Sequence, residues 1–160
     1  MGAGAYAVQV AVIYGLVPMG DDRYWLPLLL PLAHVLLLPF LLRNLSFWGI
    51  RLILLGLLLN LTAMAANGGL MPVEGSAVEA VGRHEVGELE VGSPVPGSKN
   101  VLLAREDIRL RELSDILVLP VPRPFTRAAS VGDFFVFAGV AVAFSEVVRR
   151  NGTWKNPCQR

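Results

Sequence analysis

The sequence predicts an all-α membrane protein: four transmembrane helices, with a long, mostly irregular extracytoplasmic excursion between helices three and four. Three observations predict it. Charged residues are absent from positions 2–20, 24–42, 52–66 and 134–145, and apolar runs of about 17–25 residues match a hydrocarbon core ~30 Å thick. Hydrophobic residues make up 54% of the chain and charged residues 17%, with a mean hydropathy of +0.55, whereas soluble domains carry about 25% charge. The remaining charge is gathered into short turns, the C-terminal tail and residues 67–130.

The 160 residues divide into a three-helix region (1–66), the excursion (67–130), a fourth helix (131–148) and a basic tail (149–160). The first span, 3–19, carries Ala3, Ala7, Ala11 and Gly15 at every fourth position, a stripe along which another helix can approach closely. The second, 24–42, starts at Tyr24 and Trp25, suited to the membrane interface. Its Pro31 and Pro39 must each free a carbonyl within the helix, which predicts a kink. The third, 49–67, is leucine-rich and stops at Asn67-Gly68-Gly69, where glycine supplies the left-handed backbone of a helix end, with Pro72 barring continuation. In the excursion, 85–91 reads as a short strand and 108–117 as a strand turning into a helical turn, while Pro120, Pro122 and Pro124 favour an extended run. The fourth span has Asp133 in its first turn, Ser130 as a cap one turn earlier, and Gly139 and Ala143 as a small-residue contact.

Charge sets the orientation. Arg43 and Arg51 flank one short loop, and Arg149, Arg150, Lys155 and Arg160 fill the tail, whereas the turn near residue 21 holds two aspartates. Positive-inside counting places both termini in the cytoplasm and residues 67–130 outside.

Few residues carry candidate chemistry. His34, near the middle of the second span, is the one cofactor-binding candidate. It can ligate a haem iron or the magnesium of a chlorophyll-type pigment, or it can hydrogen-bond a neighbouring helix or a proline-freed carbonyl; the sequence leaves both open. Gln9, Asn60 and Thr62 are uncharged polar groups at membrane depth, suited to interhelical hydrogen bonds or to a polar path. Glu146, beside Arg149 and Arg150, reads as an interfacial ion-pair partner. Lys99, Asp115 and Asp133 offer pairing charges on the outer side, and His84 with Glu85, Glu88 and Glu90 lacks any recognised metal-ligand spacing. A net charge of +1 without a basic stripe argues against nucleic-acid binding. The single Cys158 provides neither a disulfide nor a zinc cage. No nucleophile elbow, zinc-protease helix or phosphate loop is present, so neither a catalytic residue nor a metal nor a resident cofactor is expected.

One ordered set of blocks resembles a known family. It comprises Asn60 and Asn67-Gly68-Gly69-Leu70-Met71-Pro72, then Ser98-Lys99, Leu113-Ser114-Asp115-Ile116, and Ser130-Val131-Gly132-Asp133. Over roughly residues 45–148 the chain resembles small bacterial integral-membrane proteins classed only as a domain of unknown function. The resemblance implies an inner-membrane location and four helices, and no activity. The expected role is a non-catalytic accessory subunit among other membrane-protein subunits, respiratory or photosynthetic in kind. A pigment- or haem-binding protein using His34 is the alternative, and a transporter or channel component the third.

Overall fold

The computed structural model describes residues 26–82, 89–95, 98–119 and 126–152. The expected first span, with Ala3, Ala7, Ala11, Gly15 and Gln9, lies outside the described residues, as do His84, Glu85, Glu88, the proline run and Cys158.

Two of the long helices form an antiparallel pair. α1 (Leu26–Arg43) runs through Pro31 and Pro39 and turns at residues 44–47 into α2 (Trp48–Ala66). The long C-terminal helix, Val131–Gly152, lies against α2. The pairing follows from matched stripes at helical spacing: Gly49, Ile53, Gly56 and Asn60 on α2 meet Gly132, Val136, Gly139 and Ala143. A methyl group added at Gly139 would lie 2.7 Å from the Gly49 carbonyl, and one at Gly49 would overlap the Ala143 backbone. The absence of side chains is what lets the two backbones come this close.

α2 stops where glycine is expected to stop it. Gly68 and Gly69 have φ of 78° and 94°, and Gly69 N–H returns to the Met64 carbonyl at 2.7 Å. A Cβ at Gly69 would overlap the Pro27 carbonyl. That oxygen has lost its helical donor, because the residue four positions on is Pro31.

The excursion then folds back over this end of the helices. β1 (Met71–Val73) pairs in parallel with β2 (Asn100–Leu102), in the register Met71 with Asn100 and Val73 with Leu102. α3 (Gly75–Val81) lies in the crossover between them. The far edge of β2 takes residues 92–95 in antiparallel fashion, through Leu102 N–H to Ser93 O (3.0 Å) and Val95 N–H to Asn100 O (2.8 Å). A short 3₁₀ turn (Arg111–Leu113) leads to β3 (Leu117–Val118), which pairs antiparallel with β4 (Ala128–Ala129) directly before the C-terminal helix, α4. Two apolar clusters support these elements. One joins Leu30, Ala63 and Met64 of the helices to Leu70, Met71 and Val101; the other gathers Val73, Ala77, Val78, Val95 and Leu102 within the excursion.

The architecture is therefore mostly helical, with two helices, α2 and α4, long and apolar enough to cross a membrane, and α1 a shorter apolar helix. The excursion is mostly irregular in its described residues but folded: its aliphatic residues build a small core around strands of two or three residues, too short to produce a periodic signal. Two expectations change. Residues 89–91 form no strand, and residues 108–117 run turn first, then 3₁₀, with a strand only from Leu117. The fourth helix extends to Gly152.

Candidate functional site

At the junction of the helices and the excursion the fold collects a compact polar cluster, and the β1–β2 pairing positions it. Met71 N–H donates to the Lys99 carbonyl (3.2 Å), so Lys99 enters from the start of β2. Asp115 N–H donates to the Pro72 carbonyl (3.2 Å), which holds Asp115 beside β1. Asp133 comes from the first turn of α4, where it and Ser130 form a reciprocal cap. Asp133 N–H donates to Ser130 Oγ (3.1 Å) and Ser130 N–H to Asp133 Oδ2 (3.2 Å).

Lys99 lies between the two carboxylates, its Nζ 3.6 Å from Asp115 Oδ2 and 3.4 Å from Asp133 Oδ2. Asparagines complete the coordination of both acids. Asn60 Nδ2 donates to Asp133 Oδ1 (2.8 Å) while Asn60 Oδ1 accepts from Ser130 Oγ (2.8 Å). Asn100 Nδ2 donates to Asp115 Oδ2 (2.9 Å), and Ser98 Oγ donates to Asn100 Oδ1. Gly132 is required here for space, because a Cβ would strike the Asn60 side chain. One cluster thus ties α2, α4, β2 and the strand-free segment at Asp115 to a single point.

Its electrostatics follow from burial. Asp115 is 1% exposed, and desolvation pushes its carboxyl above the usual range against the pull of Lys99. Desolvation also acts on Lys99, but the charges of Asp115 and then Asp133 outweigh it and hold the ammonium above the ordinary lysine value. The arrangement keeps the cation charged and takes up most of the polar atoms around it; Asp115 Oδ1 is buried without a hydrogen-bond partner.

Asn67 makes a second tie. Its amide donates to the Ala63 and Arg109 carbonyls (2.8 Å each) and its carbonyl accepts Arg109 N–H (2.9 Å), fastening residues near 109 to the end of α2. His34 is buried, and its Nδ1 bonds the Leu30 carbonyl one turn back at 2.8 Å. Thr62 bonds the Leu58 carbonyl of its own helix and is exposed. Glu146 takes a role the sequence reading missed: its carboxylate accepts the Trp48 and Gly49 N–H groups at 3.1 and 3.0 Å, capping α2 from another helix. No local signal marks such a cap, since donor and acceptor lie nearly a hundred residues apart. No group of three or more His, Cys, Asp or Glu side chains suited to a metal ion occurs among the described residues.

Fold and site together define a class: a mostly helical protein with two long apolar helices, one end of which carries a small folded cap tied down by a half-buried lysine–dicarboxylate cluster. The chain belongs to the family of unknown function DUF5317, whose model matches residues 6–145. It is similar to an uncharacterized protein of Thermotoga maritima, 29% identical over 147 residues, which span 88% of this chain and 73% of that one. No solved structure matches.

Proposed function

We propose that this chain is a small, non-catalytic integral-membrane subunit that packs within, or stabilises, a larger bacterial membrane complex. In this reading it crosses the inner membrane four times, both termini are cytoplasmic, and residues 67–130 lie outside. The observation that carries the reading is the division of α4 into two faces. Its inner face is spent on α2, while Phe134, Phe137, Val140, Phe144, Val147 and Val148 are all exposed. Apolar surface of that extent needs lipid or a neighbouring helix as its solvent. The polar cluster supports a scaffolding role, because its side chains are engaged with one another rather than presented to a substrate. Purification of the native protein in mild detergent tests it: co-migrating membrane subunits are expected, and a protein that runs alone sinks the reading.

A second reading, haem or pigment ligation by His34, has one observation in its favour. With Nδ1 turned to the Leu30 carbonyl, Nε2 is the nitrogen left for a ligand. His34→Leu then abolishes a visible absorbance band, and an unchanged spectrum rules it out.

A further inference from the structure

We infer that the end of the helix pair opposite the cap is a binding site for an anionic phospholipid; this rests on the membrane reading above. Four arginines gather there. Arg43 closes α1, Arg51 lies in the first turn of α2, and Arg149 and Arg150 lie near the end of α4, which the antiparallel pairing brings to the start of α2. The Arg51 guanidinium sits 4.4 Å from the Trp48 ring centroid and that of Arg150 4.1 Å from the Phe47 ring. Arginine recognises phosphate oxyanions through its guanidinium N–H groups, and an aromatic ring beside the guanidinium favours the cation. Arg51 and Arg149 each donate through Nε to a backbone carbonyl, Leu45 O at 2.7 Å and Ser145 O at 3.3 Å, which steadies both side chains.

The acid at this end among the described residues is Glu146, and its two oxygens are occupied by the Trp48 and Gly49 N–H groups. Its charge also acts on Arg150 and Arg149, and four arginines against this one carboxylate leave the patch net positive among the described residues. It also stands directly on apolar surface: Phe144 is 70% exposed and Trp48 66%, with Val147 and Val148 beside them. A free phosphate would meet only the arginines. A phospholipid satisfies both halves, its phosphate on the guanidinium groups and its acyl chains along α4 and Trp48.

The full-length protein in neutral detergent is titrated with phosphatidylglycerol, phosphatidylcholine or inorganic phosphate, with bound lipid read by native mass spectrometry and stability by melting temperature. Phosphatidylglycerol is expected to bind and raise the melting temperature, and the other two to do neither. Arg43→Gln with Arg51→Gln should weaken phosphatidylglycerol binding about thirtyfold, taking ~1 kcal/mol for each basic residue. Arg105→Gln with Arg109→Gln, the same charge loss in the excursion, should leave binding unchanged. If the Arg51 change lowers the melting temperature without lipid, Arg43→Gln with Arg149→Gln takes its place and should weaken binding similarly. Equal binding of the two lipids, an effect of phosphate equal to that of phosphatidylglycerol, or unaltered binding in the arginine variants overturns the assignment. Release of the protein from native membranes by alkaline carbonate is a separate result, which instead removes the membrane reading.

Discussion

Replacing Lys99 with methionine tests the cluster at its centre, because it removes the single cation shared by Asp115 and Asp133. At 3.4–3.6 Å each ion pair has a gross attraction of roughly 5 kcal/mol at an effective dielectric constant of about 20. Most of this is offset by desolvation, and removing one partner of a buried pair costs about 3–5 kcal/mol in net stability. The Lys99 side chain retains 28% exposure, so water softens the loss and the expectation is about 3 kcal/mol at pH 8. That penalty resides chiefly in Asp115, which is 1% exposed and is left as an uncompensated carboxylate. Two consequences follow. Without Lys99 the Asp115 carboxyl titrates higher still, so lowering the pH protonates it more readily and relieves the penalty. Adding Asp115→Asn to Lys99→Met should likewise recover about 2 kcal/mol, since a neutral side chain of the same shape no longer needs a cation. Denaturant unfolding in detergent, followed by circular dichroism at pH 8 and at pH 5, measures all of these. A loss below about 1 kcal/mol at pH 8, a loss identical at pH 5, or strictly additive variants would refute the reasoning.

The other expectations can be checked with the same preparation. Gly49→Val drives a side chain into the Ala143 backbone and should cost about 3 kcal/mol or more by forcing α2 and α4 apart, with Ala65→Val on the exposed side of α2 as a neutral control. Asn67→Ala loses three hydrogen bonds and should cost about 1–2 kcal/mol, with faster amide exchange at residues 105–113 and not in α4. Because the Lys99 pKa is higher in the fold than in the unfolded chain, its contribution is complete below the unfolded value of ~10.4 and is lost as pH rises through the folded one. Alkaline unfolding should therefore begin only above about pH 10, and Lys99→Arg, which keeps its proton, should delay it. Glu146→Ala uncaps α2 and should lower the melting temperature; an unchanged value would mean that water caps the helix equally well.

Much of the helical scaffold was legible because its signals are local. The end of α2 lies within a residue of its expected position, since Asn67-Gly68-Gly69 sets the backbone whatever surrounds it. The start of α4 is likewise marked by Ser130 and Asp133, three residues apart and each serving the other's backbone. The excursion was less legible. Strands of two or three residues carry no period, and β1 and β2 are joined by a crossover of more than twenty residues, so nothing nearby in the chain announces their pairing.

The matched glycine stripes lie between these cases. Gly139 and Ala143 stand out on their own helix, but Gly49 and Gly56 acquire meaning only once α4 lies against them. The same holds for Lys99. Its sequence neighbours give no reason for its pairing, and its partners stand 16 and 34 positions away.

The sequence by itself determined where the long apolar segments run, where α2 stops and α4 starts, and that the charge between them is concentrated in one segment. Each of these depends on backbone conformation or on the solvation of a contiguous stretch, properties a short run of residues possesses alone. Only the tertiary structure decided that Lys99, Asp115, Asp133 and Asn60 meet at one point and that Glu146 caps a helix other than its own. Those meetings depend on the relative placement of elements, fixed jointly by strand register, close glycine packing and the shared apolar clusters, and no local segment encodes them.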